Sequence, residues 1–516
     1  MKAAPGPGRI SRIGSWPLVA LAASAVAACA PPAPVTAPAP VVTVTGMQHA
    51  IDSMVADPKW RTAQLGILIV DPERGDTLYS HNAGKLFMPA SNQKILTGAV
   101  ALSQLGPDFR FSTSVFADGP VVEGVLQGNL RFEGMGDPSI SDRMATDAMR
   151  PVRAMADSLA RRGIGRVAGA LVSGADVFPD ASYGFGWSWD DLDNAYSAGV
   201  DELFFNEGFM RLDIVGGPAE GTPVRVNVRP VRSFPRVMVL ARTVAPRAAG
   251  DTRRRLRVRN DSTAAGTIVI EGEVSAGDSA SVTFSYRDQN RAFLEAVREA
   301  LSERGIQVDS GVSSARMAIG DSATALEPAG TLLFSMASPP LREILHAFEK
   351  PSQNQIGEVL LKTLGRAGMG AGRADSGARV VRDQLIAWGA RADGFVIRDG
   401  SGLSRHNVVT PETIVLVLDV MRRSGHARLF MDALPVAGVD GTIRGRMRGT
   451  PAQGNLRAKT GTLDMVRSLS GYVTTPDGRT VIFSMLANNF RVPNRDVEEV
   501  QDAIGVMLAR LQPRSR

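Results

Sequence analysis

The stretch that most constrains this chain is Met88-Pro89-Ala90-Ser91-Asn92-Gln93-Lys94, which leads into the apolar run Ile95 to Leu105. At helical spacing a serine and a lysine three residues apart share one face, so a hydroxyl stands beside an amine. The helix N-terminus favours developing negative charge at Ser91, and burial lets Lys94 lose its proton and accept that of the hydroxyl. Alone, the pattern equally describes an N-cap followed by an exposed lysine. Two later stretches, Ser352-Gln353-Asn354 and Lys459-Thr460-Gly461-Thr462, also have ordinary readings, an N-cap with a turn and a strand entering a turn. Together they dictate topology, because groups so far apart in sequence act jointly only in a chain that folds back on itself.

The ordered set Ser-x-x-Lys, Ser-x-Asn and Lys-Thr-Gly is that of penicillin-binding proteins and class A β-lactamases. With Asp399-Gly400-Ser401-Gly402-Leu403-Ser404-Arg405-His406-Asn407, Gly134-Met135-Gly136-Asp137-Pro138 and Leu434-Pro435-Val436-Ala437-Gly438, the chain resembles the class C low-molecular-mass penicillin-binding proteins. These are the D-alanyl-D-alanine carboxypeptidase/endopeptidase family S13. The likeness runs from about residue 48 to the C-terminus. It implies an α+β, multidomain fold: a penicillin-binding-protein/β-lactamase-like transpeptidase domain, an antiparallel sheet flanked by helices, with a large β-rich insertion. Residues 47–110 and 332–516 are assigned to the catalytic domain, and 111–331 to domains inserted between the first and second motifs.

The same resemblance implies an exported serine-type D-Ala-D-Ala carboxypeptidase/endopeptidase. Its partners are peptidoglycan stem peptides and their cross-links, with β-lactams as inhibitors. Ser91 attacks, Lys94 takes its proton, and Ser352 relays a proton to the departing D-alanine. Asn354 holds Lys94 and the substrate amide. Lys459 lowers the amine pKa of Lys94, while the hydroxyls of Thr460 and Thr462, either side of Gly461 in the substrate-binding stretch, bind the terminal carboxylate. The oxyanion hole maps to the backbone N–H groups of Ser91 and Thr462. A side-chain pocket maps to Asp191, Tyr196, Arg405 and Asp464, an acid for an ammonium and an arginine for a carboxylate. Tyr196 stands where the family pattern has phenylalanine and Asp464 where it has glutamine, so the pocket gains negative charge. A β-lactamase or esterase of the same fold, and a wall-binding lipoprotein without activity, are the alternatives.

With 516 residues, 44% of them hydrophobic, the chain exceeds one ordinary core, and two or three domains are expected. The net charge of +6 arises from abundant arginine, as in Arg253-Arg254-Arg255-Leu256-Arg257-Val258-Arg259. Alternating arginines along a strand form a solvated face or meet an anionic surface. No nucleic-acid module accompanies them. Lys2, Arg9 and Arg12 precede the apolar run Trp16 to Ala28, which suits an export signal over residues 1–28. Val26-Ala27-Ala28-Cys29 resembles a lipobox, with a lipid on Cys29 anchoring the protein to a membrane; cleavage after an Ala-x-Ala pattern is the alternative. As Cys29 is the sole cysteine, a disulfide within the chain is excluded. Residues 29–46, rich in Pro and Ala, read as a linker. The five histidines show no paired metal spacing and no phosphate loop is evident, so neither metal nor cofactor is expected.

Local patterns supply the elements. A helix is expected near Met47–Met54, then a hairpin from Gly66-Ile67-Leu68-Ile69-Val70 to Asp76-Thr77-Leu78-Tyr79-Ser80. The Ser91 helix stops at Gly106-Pro107. Alternating runs at 224–228, 237–240, 267–270 and 281–284 make the middle β-rich, up to an amphipathic helix near Asn290–Arg304. Helices follow at Leu341–Glu349 and Gln355–Leu364, then a hairpin over 471–486 and a final helix near Asn494–Leu511. The last strands are expected to join the first hairpin in one sheet.

Overall fold

The computed structural model describes residues 42–174, 177–231, 233–246, 256–261, 263–264, 266–313 and 330–512. The signal peptide, Cys29 and linker residues 30–41 lie outside the described residues, as do Arg253 to Arg255, while 44–46, expected in the linker, belong to the first helix. Among the described residues no helix is long and apolar enough to cross a membrane.

Both ends of the chain build one antiparallel sheet, in the order Asp76–His81, Gln64–Asp71, Thr480–Asn488, Val466–Thr474 and Arg457–Leu463. Its central strands are buried at most positions because both faces are covered, and the strand period of two divides the side chains between two cores. Ile67, Ile69, Val481, Phe483 and Met485 pack with the helices Val44–Val55 and Asn494–Leu508. Their neighbours Leu68, Ile482 and Leu486 face the opposite way, toward Leu96 and Val100 of helix Gln93–Leu105 and Ile414 and Leu418 of helix Pro411–Arg423. Helix Gln93–Leu105 is buried on all sides over its first ten residues and so runs through the core. It ends at Gly106, whose φ of 81° is open to glycine, before Pro107.

The expected helices and hairpins are present, with shifted ends. The first helix begins at Val44, three residues earlier than its apolar pattern suggests, because Thr43 accepts the Gly46 N–H as N-cap. Helix Asn354–Met369 extends past Leu364, and Asn494–Leu508 stops short of Leu511.

The β-rich insertion leaves and rejoins the catalytic domain side by side, since Ser112–Asp118 pairs antiparallel with Thr331–Ala337. Phe111 and Ser338 close the junction, with Ser338 N–H donating to Phe111 O at 2.9 Å and Phe111 N–H to Ser338 Oγ at 2.9 Å. Strands Asn129–Gly134, Leu171–Ser173 and Val312–Ser313 complete that sheet. Beside it stand a three-stranded sheet centred on Phe209–Val215 and a four-stranded one around Thr267–Ser275. The insertion has its own core, in which Phe132, Leu159, Phe293 and Leu301 meet. Two helices line this core, Gln289–Glu303 and Met149–Ala160. The second is absent from the sequence reading, although Met149, Val152, Met155, Ala156 and Leu159 carry helical spacing. Arg257 and Arg259 sit on strand Leu256–Asn260 beside Glu271, at 3.8 and 3.4 Å.

Candidate active site

Ser91 lies in a single 3-10 turn, Ala90–Asn92, that opens helix Gln93–Leu105. Three hydrogen bonds pin that turn to the sheet. Asn92 Nδ2 donates to Lys459 O at 2.8 Å, Ser468 Oγ to Pro89 O at 2.7 Å, and Met88 N–H to Asn488 Oδ1 at 2.7 Å. Gly461 is required by this approach, because a Cβ there would fall 2.5 Å from Pro89 O and 2.1 Å from Ser468 Oγ.

Lys94 is completely buried and its Nζ meets three oxygens: Ser91 Oγ at 2.9 Å, Asn354 Oδ1 at 2.6 Å and Ser401 O at 2.7 Å. The two carbonyl oxygens can only accept, whereas the hydroxyl can also donate. A neutral amine therefore satisfies the site by giving its two hydrogens to the carbonyls and turning its lone pair to the Ser91 hydroxyl. Burial drives the Lys94 pKa well below its ordinary value, and the charge of Lys459 pushes it the same way. Desolvation is thus the larger cause, with Lys459 second.

Lys459, on strand Arg457–Leu463, is also fully buried; it donates to Ser352 Oγ at 2.7 Å and to Thr460 O at 3.0 Å. Burial lowers its pKa to about 8. Ser352 has a φ of 64°, in the left-handed region that places it at the bend between helices Leu341–Glu349 and Asn354–Met369. The N-cap of the second helix is Gln353, which accepts from Ile356 N–H at 2.8 Å. Capping by the middle residue leaves Ser352 and Asn354 free to point at the lysines. Asn354 is itself oriented from the insertion, since its Nδ2 donates to Tyr196 O at 2.7 Å.

A cleft of about 490 Å³ collects Ser91, Ser352, Asn354 and Thr462 with Asp191, Tyr196, Arg405 and Asp464. Thr460 lies off its lining and donates its hydroxyl to Thr442 at 2.7 Å. Tyr196 donates its hydroxyl to the Asp191 carboxylate, across the 3-10 turns Trp189–Asp191 and Ala195–Ser197. Burial, then that bond, raise the phenol pKa. Arg405 Nη1 donates to Asp464 O at 3.2 Å.

The sequence reading missed how the 399–407 loop takes part. Asp399, fully buried, accepts from Gly402 N–H at 2.8 Å, Ser404 N–H at 2.6 Å, Asn407 Nδ2 at 2.6 Å and Trp187 Nε1 at 2.9 Å. Glu358 accepts from Gly400 N–H at 3.2 Å and Ser401 N–H at 2.9 Å. The loop so held delivers Ser401 O to Lys94. A backbone carbonyl carries no side-chain signature, and only the turn-forming Asp-Gly-Ser-Gly composition marked the place. Glu349, a buried carboxyl below the motifs, was also missed.

A serine paired with a buried lysine, a second serine-lysine pair and a cleft between sheet and helices define an acyl-serine hydrolase of the penicillin-binding-protein class. The D-Ala-D-Ala carboxypeptidase 3 (S13) family model matches residues 47–511. A D-alanyl-D-alanine carboxypeptidase of Actinomadura sp. (strain R39) is 34% identical over 490 residues, 92% of this chain and 87% of that one. The D-alanyl-D-alanine carboxypeptidase DacB of Haemophilus influenzae is 26% identical over 437 residues, 83% and 86% of the two chains. The crystal structure of penicillin binding protein 4 (dacB) from Haemophilus influenzae shares the fold, with a TM-score of 0.76, 24% identity, and 89% and 99% of the chains covered. A second structure of that protein, complexed with a novel β-lactam, superposes with a TM-score of 0.70, 23% identity, and 88% and 98% coverage. The chain belongs to the D-Ala-D-Ala carboxypeptidase 3 (S13) family, and is thereby a serine-type D-Ala-D-Ala carboxypeptidase.

Proposed function

We propose that Ser91 is the nucleophile of this carboxypeptidase and neutral Lys94 its base. The observation that carries the reading is the Lys94 environment, two carbonyl acceptors and one serine hydroxyl around a buried amine. As Ser91 Oγ bonds to the carbonyl carbon of the penultimate D-alanine, its proton passes to Lys94. The tetrahedral oxygen would be held by the N–H groups of Ser91 and Thr462. When the C–N bond breaks, the departing D-alanine amine takes its proton from Ser352, which recovers one from Lys94, so the proton drawn from Ser91 ends on the leaving group. That hydroxyl is free to give it, because Ser352 Oγ receives its own hydrogen bond from Lys459. The Lys459 charge with Thr462 receives the substrate's terminal carboxylate. Water releases the acyl group and completes the turnover.

The substrate class is the peptidoglycan stem peptide, at its D-Ala-D-Ala terminus and at cross-links made through the same bond. β-Lactams acylate Ser91 in its place. Asp191 and Arg405 share the cleft with Ser91, which supports a pocket for a zwitterionic side-chain end. Export, placement in the cell envelope and lipid attachment at Cys29 belong to the same proposal and rest on the N-terminal sequence.

The test is mass spectrometry of the full chain during incubation with penicillin, beside digestion of purified muropeptides. A lasting adduct on Ser91, with D-alanine release or cleavage of cross-linked dimers, is the expected result. An adduct on another residue would overturn the assignment, and rapid turnover of opened drug would make the protein a β-lactamase.

A further inference from the structure

Glu349 ends helix Leu341–Glu349 and is completely buried, and neither carboxylate oxygen has a hydrogen-bond partner. Such a carboxyl is costly to bury and needs a compensating charge. Its surroundings supply two. Its backbone oxygen accepts from Ser352 N–H at 3.2 Å, which sets it one turn before the serine held by Lys459. Its side chain lies against Gly98, four residues past Lys94 on the same helix, where a Cβ would come within 2.8 Å of Oε1. Gly98 therefore makes room for the carboxylate beneath the Ser91–Lys94 pair.

We propose that Glu349 is a positioning residue for acyl transfer: its carboxylate is the counter-charge that keeps Lys459 an ammonium while Lys94 stands neutral. The inference rests on the roles proposed above for Ser91, Lys94 and Lys459. Two ammonium groups beside one carboxylate would leave an uncompensated buried charge, whereas one ammonium and one carboxylate balance. Glu349 is the charged group that acts against the burial of Lys459. It also raises the Lys94 pKa, together with Asp399 and Glu358, against the lowering by burial and by Lys459. Burial pushes Glu349 itself up to about 7, while Lys459 and then Lys94 hold it down. Between about pH 7 and pH 8 the carboxylate and the Lys459 ammonium thus coexist.

The signs follow from these facts. Acylation needs Lys94 neutral, so it fails as pH falls, and needs Lys459 protonated, so it fails as pH rises. Above about pH 7, where Glu349 is ionised, removing the carboxylate lowers the Lys459 pKa and moves the alkaline limb to lower pH; below it the carboxyl is already protonated, so the acid limb stays in place. The experiment measures the pH dependence of penicillin acylation for the full chain as wild type, Glu349→Gln and Glu349→Asp. The Gln variant should shift the alkaline limb about one unit to lower pH, acylating about tenfold slower there, and should leave the acid limb in place. The Asp variant should restore much of the wild-type profile. A lesion of packing alone lowers the bell at every pH without moving its alkaline limb. An unmoved alkaline limb in a folded Gln variant would overturn the proposal.

Should the Gln variant not fold, Gly98→Ala displaces the carboxylate while keeping its charge. A moved alkaline limb would then support the proposal, and an unmoved one would overturn it. Failure of the wild type to be acylated would instead bring down the assignment of Ser91 and this inference with it.

Discussion

Lys94 shows how little the chemistry of a side chain is settled by its identity. The same lysine at an exposed N-cap would stay protonated, and here burial, and then the charge of Lys459, favour the base. Removing the hydroxyl it serves should be the cleanest test at this scale. Ser91→Ala takes one oxygen from a half-buried position, so thermal stability should hold. Penicillin labelling should fall by on the order of 10⁴-fold or more, as expected when a nucleophile is lost. Intact labelling in that variant, read by mass spectrometry, would place the nucleophile elsewhere. Asp464 tests the neighbouring pocket. Asp464→Gln removes a charge from the cleft that also holds Asp191. It should raise KM about fivefold for a stem peptide with a free side-chain ammonium, the effect of roughly 1 kcal/mol. Penicillin acylation should change less than about twofold, because the drug lacks that ammonium. Equal effects on both substrates would show that Asp464 shapes the cleft as a whole.

The loop Asp399–Asn407 and helix Asn354–Met369 act as a unit, joined through Glu358. Burial, and then the charge of Asp399, push the Glu358 carboxyl up from 4.5 to about 8. A carboxyl raised on folding favours the native state below its unfolded pKa and costs stability as pH climbs to the folded one. Thermal stability should therefore decline as pH rises from about 4.5 to 8. Glu358→Gln should flatten that slope, at the cost of one of the two backbone hydrogen bonds. Melting curves at pH values from about 4.5 to 8 decide it, and an unchanged slope in the variant would refute the assignment. This unit also marks where sequence reading stops. Periodicity and punctuation reveal the first hairpin, helix Leu341–Glu349 and the final hairpin, because each is a local pattern with a turn or cap at its end. The three motifs reveal Ser91, Lys94, Ser352, Asn354 and Lys459 as candidates. Ser401 O and Tyr196 O were not legible, because main-chain acceptors have no residue type. Nor was Glu349, whose neighbours come from two other segments of the chain. Helix Met149–Ala160 carried its pattern but was masked by Pro151, which a first turn tolerates.

At the scale of the whole molecule, the open question is whether the insertion is an appendage or part of the catalytic domain. Two observations pull apart. Ser112–Asp118 and Thr331–Ala337 are adjacent antiparallel strands, so excising 112–337 would leave ends that a short turn could join. Against this, Phe178, Val200 and Phe204 of the insertion are buried in the same core as Leu96, Ile356 and Leu360 of the catalytic domain. At about 1.5–3 kcal/mol each, their loss would cost roughly 5–9 kcal/mol, comparable with the 5–15 kcal/mol that holds a typical domain together. The second motif also leans on the insertion. Asn354 Nδ2 donates to Tyr196 O at 2.7 Å, and Gln355 Nε2 to Ala195 O at 3.1 Å and Ala198 O at 3.0 Å. With those acceptors gone, two buried amides would be left unpaired beside Lys94. Packing therefore outweighs chain geometry. The excised protein is expected to be unfolded or only partly folded, with no cooperative melting transition and no penicillin adduct. Circular dichroism on heating, with mass spectrometry after incubation with the drug, reads both. A cooperative transition together with acylation near the wild-type rate would mean that the catalytic domain stands alone and the insertion serves something other than the site.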